Sequence, residues 1–285
     1  LYFTVHNNGR GRGYSTQANL KNLSGQGVLL HAGRFHVDNM EPGGEQRVAF
    51  TFEVQPQFRE NEVRLEVQIE DDDLREYVMQ KIHIPIADAL AVQPATGTWT
   101  AAADANGLES PNGDARTVAH VPAGTTANIT AQIGDFVRLD VGDHHPLWVR
   151  RAEGTGRPAA QRPAIAWTLQ NSPPQIESDA GDTLAVRGAT HHITGTANDQ
   201  QRVLDMYIFV GARKVFYRSN REGANQRLVQ FAADLPLRPG ANIVTIVARE
   251  DDDTLARRTF VIRRDGPGGE LLQTPRAGTS EGEDD

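Results

Sequence analysis

The chain has 285 residues, of which 38% are hydrophobic and 6% aromatic, a supply lean for one large core and suited to several small ones. Its formal charge is −8, yet six acids against the single base Arg276 lie from Asp265 onward, so the rest is near-neutral and mixed in sign, which argues against a nucleic-acid-binding footprint. The absence of cysteine excludes disulfides, thiolate metal sites and thiol nucleophiles, and no apolar run approaches the ~20 residues that span a bilayer.

Leu1-Tyr2-Phe3 reads directly as a strand with no leader before it, so the chain is expected to begin inside a longer protein. Period-2 alternation then dominates. Strands are predicted over Tyr2–His6, Ser15–Leu23, Val28–Leu30, Arg34–Val37, Val48–Val54, Val63–Glu70 and Tyr77–Ile84. Turn chemistry at Asn8-Gly9 and Pro42-Gly43-Gly44 separates them. Seven short strands make residues 1–86 an immunoglobulin-like sandwich, similar to cell-adhesion-related bacterial domains.

Residues 87–153 form the second unit. Pro122-Ala123-Gly124-Thr125 leads into Ile129 and Ile133, then Phe136–Leu139, a polar turn and Leu147-Trp148-Val149, a pattern that resembles a bacterial SH3-like barrel. Residues 154–172 follow as a linker, rich in Pro, Ala and Gly up to Ala166. Residues 173–264 form a second immunoglobulin-like sandwich, with strands over Met206–Val210, Leu228–Leu235 and Ile243–Arg249 and a tight entry turn at Pro239-Gly240-Ala241-Asn242. Residues 265–285 are Gly, Pro, Ser, Thr and acids, a tail without the means to build a core. The fold class is all-β throughout.

Few residues suggest chemistry. Glu70-Asp71-Asp72-Asp73 and Glu250-Asp251-Asp252-Asp253 follow the echoing strands Val67–Ile69 and Val247–Arg249. Calcium is the metal such oxygens suit, but the Gly and closing Glu of an EF-hand loop are missing. Consecutive acids on a strand also point to alternating sides, so both runs read as hairpin caps and no cofactor is expected. His144-His145 and His191-His192 read as surface or loop histidines, since neighbours on a strand face opposite ways. Ser24 with Lys21 lacks the helix N-terminus and oxyanion donors of a nucleophilic site, so no catalytic residue is expected.

Interaction residues are the remaining candidates. Trp99 and Trp148 are candidates to line a peptide or glycan groove, or else to fill the small barrel. Arg213–Arg221 is a basic-aromatic strip that suits an acidic peptide or phosphate-bearing polymer, or is an edge strand guarded by charge. Alternation places Lys214, Phe216 and Arg218 on one face and gives Val215 with Tyr217 to the core. Phe216 would then stand outward, either free for a partner or packed on the neighbouring barrel.

Asp73–Val78, Gly211–Arg221 and Leu237–Glu250 together resemble the region C-terminal to the catalytic part of exported, PDZ-containing tail-specific serine peptidases of the myxobacterial type. The resemblance spans most of residues 1–264 in the same domain order. It implies that peptidase and PDZ domains precede Leu1, and the family's Ser-Lys motif matches no position here. The expectation is a non-catalytic region in the periplasm, cell envelope or extracellular space, holding a protein, a peptide or a cell-wall polymer near its own upstream protease. A stand-alone adhesion or glycan-binding protein is the alternative.

Overall fold

The computed structural model describes residues 1–87, 90–142, 146–156, 164–168, 172–183 and 185–275. His144 and His145, the centre of the predicted linker and the last ten residues of the tail lie outside these. Among the described residues all regular structure is strand, apart from two short 3₁₀ turns, and no helix is long and apolar enough to cross a membrane. The chain divides into two compact units, Ala87–Asn171 and, on either side of it in sequence, Leu1–Ile86 with Ser172–Asp285.

The first sandwich contains β1 (Tyr2–His6), β2 (Thr16–Asn22), β3 (Val28–Ala32), β4 (Arg34–His36), β5 (Glu45–Ala49), β6 (Thr51–Val54), β7 (Glu62–Asp71) and β8 (Glu76–Pro85). The predicted strand Val48–Val54 is in fact two, because β5 pairs with β1 and β6 with β3. Phe50 is the corner between them. Its amide donates to the Leu1 carbonyl, the Leu1 ammonium donates to the Phe50 carbonyl, and its ring meets Phe3 and Phe35 edge-on at 5.8 and 5.3 Å. Around it the alternating Val63, Leu65 and Val67 of β7 join Ala18, Leu20, Val37 and Val48 in the core.

The separate unit holds β9 (Gln93–Pro94), β10 (Thr98–Ala101), β11 (Ala105–Leu108), β12 (Thr117–Val121), β13 (Thr126–Ile133), β14 (Phe136–Asp140), β15 (Pro146–Arg150), β16 (Gly154–Thr155) and β17 (Ala166–Trp167). They form one antiparallel sheet in the order β16-β10-β13-β14-β15-β11-β12-β17, with β9 also on β13. Leu147 and Val149 point into the main core with Trp99, Val121, Val137 and Leu139, while Trp148 points the other way onto Leu108 and Ala131. The predicted linker needs correction at both ends. Gly154 pairs with Ala101, and Ala166-Trp167 pair with Ala119 and His120, so these residues are strands of this unit. Two-residue strands carry no periodicity, which is why composition alone reads them as linker.

The last sandwich contains β18 (Gln175–Ser178), β19 (Ala185–Val186), β20 (Thr190–Asn198), β21 (Asp205–Val210), β22 (Arg213–Ser219), β23 (Leu228–Pro236), β24 (Gly240–Arg249) and β25 (Thr254–Arg264). A three-stranded sheet β18-β20-β23 faces β22-β21-β24-β25, and Ile193, Met206, Ile208, Phe231, Leu235 and Ile246 fill the space between. Its entry turn is as the sequence proposes. Gly240 has φ +78°, and the buried Asn242 amide exchanges hydrogen bonds with the Arg238 backbone at 2.8 and 2.9 Å.

The two sandwiches are not separate beads. β25 pairs antiparallel with β8 over Thr254–Arg258 against Gln80–Glu76, so one sheet runs β22-β21-β24-β25-β8-β7-β2-β4. Directly opposed residues share a face. One transverse row therefore reads Met206, Ala248, Ala256, Val78, Ile69 and Ala18, and places both cores on the same side of the sheet. Each acidic turn abuts the opposite sandwich. The Lys81 amide donates to the Asp253 carbonyl at 2.7 Å, and the Thr259 amide to the Arg75 carbonyl at 3.2 Å.

Candidate interaction surface

The face of this shared sheet that points away from both cores carries the row Tyr217, Tyr207, Val247, Arg257, Tyr77, Glu70. Aromatics and cations interleave at its β22 end. The Tyr207 ring lies 5.0 Å from Tyr217 and 6.3 Å from Phe209. Lys214 Nζ stands 5.3 Å from the Tyr207 centroid and 5.5 Å from that of Tyr217, and the Arg249 guanidinium 5.5 Å from Tyr207. Farther along, Arg257 lies over Tyr77 at 4.7 Å. Cation–π contacts at such exposed sites are each worth about 0.5–1 kcal/mol.

Arg249 is committed to structure. Its Nε and Nη2 donate to the two oxygens of buried Asp205 at 2.8 and 2.7 Å, and Nη1 donates to Asp252 at 3.1 Å. That hydrogen bonding to Asp205 holds the guanidinium protonated beyond its ordinary range, against the effect of its own burial. Burial, followed by the Asp205 charge, raises the Tyr207 phenol. By contrast Arg213, Lys214 and Arg221 form no ion pair among the described residues.

The predicted partner residues separate on this frame. Lys214 lies outward beside Tyr217, which is half exposed. Phe216 does not stand outward. A β-bulge puts Val215 opposite no single residue, so Lys214 pairs with Phe209 and Phe216 with Ile208, whose side chain is buried. The bulge reverses the phase of alternation, and Phe216 packs on Phe231 at 6.3 Å in the sandwich core. Arg218 follows Phe216 to the core-side rim, where Nη1 donates to the Gln230 carbonyl at 2.7 Å and ties β22 to the facing sheet. Trp99 and Trp148 are 2% and 7% exposed, so both fill the β-unit rather than line a groove. Small units need such large side chains inside.

Several of the remaining polar motifs have structural partners among the described residues. Asp71 accepts from the Thr16 hydroxyl at 2.6 Å and the Leu74 amide at 2.8 Å, and Asp251 accepts the amides of Asp253 and Thr254. The acidic runs thus cap hairpins. Among the described residues no three His, Asp or Glu side chains come together to hold a metal ion. His192 pairs with Asp234 at 2.8 Å, with His191 on the opposite face. Ser24 accepts the Arg64 amide at 2.6 Å, and Lys21 lies 3.7 Å from Glu66. A shallow cleft of about 230 Å³ at the sandwich junction is lined by Glu70, Asp71, Asp72, Arg75, Glu76, Arg257 and Thr259, four acids against two bases.

Sequence reading missed the outward ring cluster of Tyr207, Phe209 and Tyr217. The available signal was Tyr207-Ile208-Phe209, whose alternation sends one aromatic set outward once Ile208 is assigned to the core.

No protein-family model matches the chain, and no curated protein matches it. Among solved structures, the fibronectin(III)-like modules of Clostridium thermocellum CbhA are similar at 13% identity with a TM-score of 0.26, covering 70% of this chain and 91% of that one.

Proposed function

We propose that this chain is a non-catalytic binding and positioning region of an envelope serine peptidase of the tail-specific kind. On this reading its middle unit is an SH3-like barrel, and its two fused sandwiches hold a protein partner near a protease domain encoded before Leu1. The observation that carries the proposal is the end of the shared sheet at β22, where a strand edge bearing Arg213 and Lys214, with Arg221 in the turn after it, meets an outward cluster of Tyr207 and Tyr217. Strand edges bind extended chains through the backbone, while neighbouring side chains select them. Among the described residues His192, Ser24 and Asp71 have structural partners, which supports placing the chemistry elsewhere.

The encoding gene tests the reading first: a PDZ domain and a catalytic Ser and Lys are expected upstream of Leu1. An upstream sequence without them overturns the peptidase assignment. The purified chain is itself expected to leave a fluorescently labelled unfolded protein intact. Turnover abolished by one substitution within this chain would overturn the non-catalytic assignment. In the full-length peptidase, removing this region should raise KM for a protein substrate and leave kcat on a short peptide unchanged.

A further inference from the structure

β22 closes one end of the shared sheet, and among the described residues no strand pairs with its far side. In an antiparallel strand, alternate residues turn their amide and carbonyl groups away from the paired neighbour. The far side of β22 is therefore a row of backbone donors and acceptors. Natural edges are commonly guarded by charge, and a guard works with either sign or a mixture. Here the sign is uniform. From Met206 to Arg221 the sequence contains Arg213, Lys214, Arg218 and Arg221 and no acid, within a chain whose formal charge is −8.

The bulge distributes these cations over both faces. Lys214 lies on the outward face with Tyr217, and Arg213, opposite Val210, lies with Arg218 on the core-side rim. A strand added beside β22 would meet positive charge above and below its own plane. Tyr217, half exposed at this margin, adds apolar area for the stem of a partner side chain.

We infer that β22 is a strand-addition site for an extended acidic polypeptide segment, in which backbone pairing supplies the hold and carboxylates on alternate residues, which share one face, lie beside Lys214 on the outward side. The inference deepens the positioning role proposed above and rests on it for its biological setting. Its test involves no peptidase, so a failure here leaves the upstream-gene test of that role untouched.

The probe is a ten-residue capped peptide alternating Glu with Thr or Val, titrated into the intact chain at low salt. Binding is expected to slow amide hydrogen exchange within Arg213–Ser219 and to weaken steeply with added salt. Three comparisons isolate its cause. A peptide with Lys for every Glu should not bind. Two peptides N-methylated on alternate amides, one on every Glu and one on every Thr or Val, keep the charge, and the one whose methylated amides face β22 should bind at least about tenfold more weakly. Arg213→Glu combined with Lys214→Glu should weaken the original peptide by about tenfold or more, while Lys21→Glu on β2 leaves it within about twofold.

Equal binding of both N-methylated peptides and the original would reduce the site to simple charge attraction and overturn strand addition. Binding that survives the double reversal would place the site elsewhere. Absence of any binding at millimolar peptide also ends the proposal. Sedimentation decides the last alternative: salt-sensitive self-association that the double reversal abolishes would make β22 an interface between two copies, and would overturn the inference.

Discussion

A Cβ placed on Gly154 would lie 2.1 Å from Trp99 Nε1 and 2.4 Å from two further atoms of the indole. Real Cβ atoms need more than 1 Å beyond that, and the ring has no room to retreat because Trp99 is 2% exposed. Gly154→Ala therefore obliges β16 to leave β10, or the indole to tilt within the core. Overpacking of this kind costs about 1–3 kcal/mol. In a unit spanning Ala87–Asn171, each kcal/mol shifts the melting temperature by about 4–8 °C, so a fall of roughly 4–24 °C is expected in the transition that reports on this unit. The assay is thermal unfolding followed by tryptophan fluorescence, since a tilted Trp99 gains water and its emission moves to the red. Gly156→Ala is the control, because its Cβ would meet nothing closer than the Thr98 carbonyl at 4.0 Å. Trp99→Phe supplies a double-mutant cycle: in that background Gly154→Ala should cost distinctly less than in the wild type. If Gly154→Ala and Gly156→Ala melt together, with unshifted emission, residue 154 is linker after all and the packing argument is wrong.

Three further predictions concern the fused sandwiches. Phe216→Ala should lower stability by about 1–3 kcal/mol in urea titration, because the ring is only partly buried, while Tyr217→Ala should stay within about 1 kcal/mol; the reverse ranking would restore the outward placement of Phe216. Asp205→Ala strands the Arg249 guanidinium, itself partly exposed, and should cost about 2–4 kcal/mol, whereas Arg249→Lys keeps the charge but loses the two-pronged contact and should cost less. Glu76 is pushed above the usual carboxyl value of 4.5 by burial, opposed by Arg258 at 3.1 Å. A raised folded value means that Glu76 favours folding below its unfolded titration and loses that contribution as pH rises through the folded one. Glu76→Gln should thus flatten the stability profile just above pH 4.5, and an unchanged slope there would show that another group titrates.

Strand existence was legible wherever one face is buried. Val63, Leu65 and Val67 alternate in sequence and lie buried in β7, and the turn at Pro239–Asn242 is fixed by a positive φ and one Asn side chain. Phase was less legible. A single bulge residue, Val215, reverses every face assignment after it, and nothing in Lys214-Val215-Phe216 marks the extra residue. Which strands meet across the fused sheet was not stated by any single run of residues. Lys81 reaches Asp252 over 171 residues, and the pairing of β8 with β25 needs no more than two ordinary edges. The echo between the two acidic runs was a visible trace of it. Each run turns a hairpin, and the two hairpins lie side by side in opposite directions, so similar sequences occupy matching places about the junction.

The β8–β25 ladder also sets a load path. Tension applied between Leu1 and the end of β25 passes from one sandwich to the other through five opposed residue pairs, flanked by the Lys81–Asp253 and Arg258–Glu76 ion pairs. The intervening residues Ala87–Asn171 join the two sandwiches covalently, in parallel with that ladder along the chain. Failure of the ladder would therefore hand the load to those residues, and would release roughly 300 Å of chain if that unit also unravels.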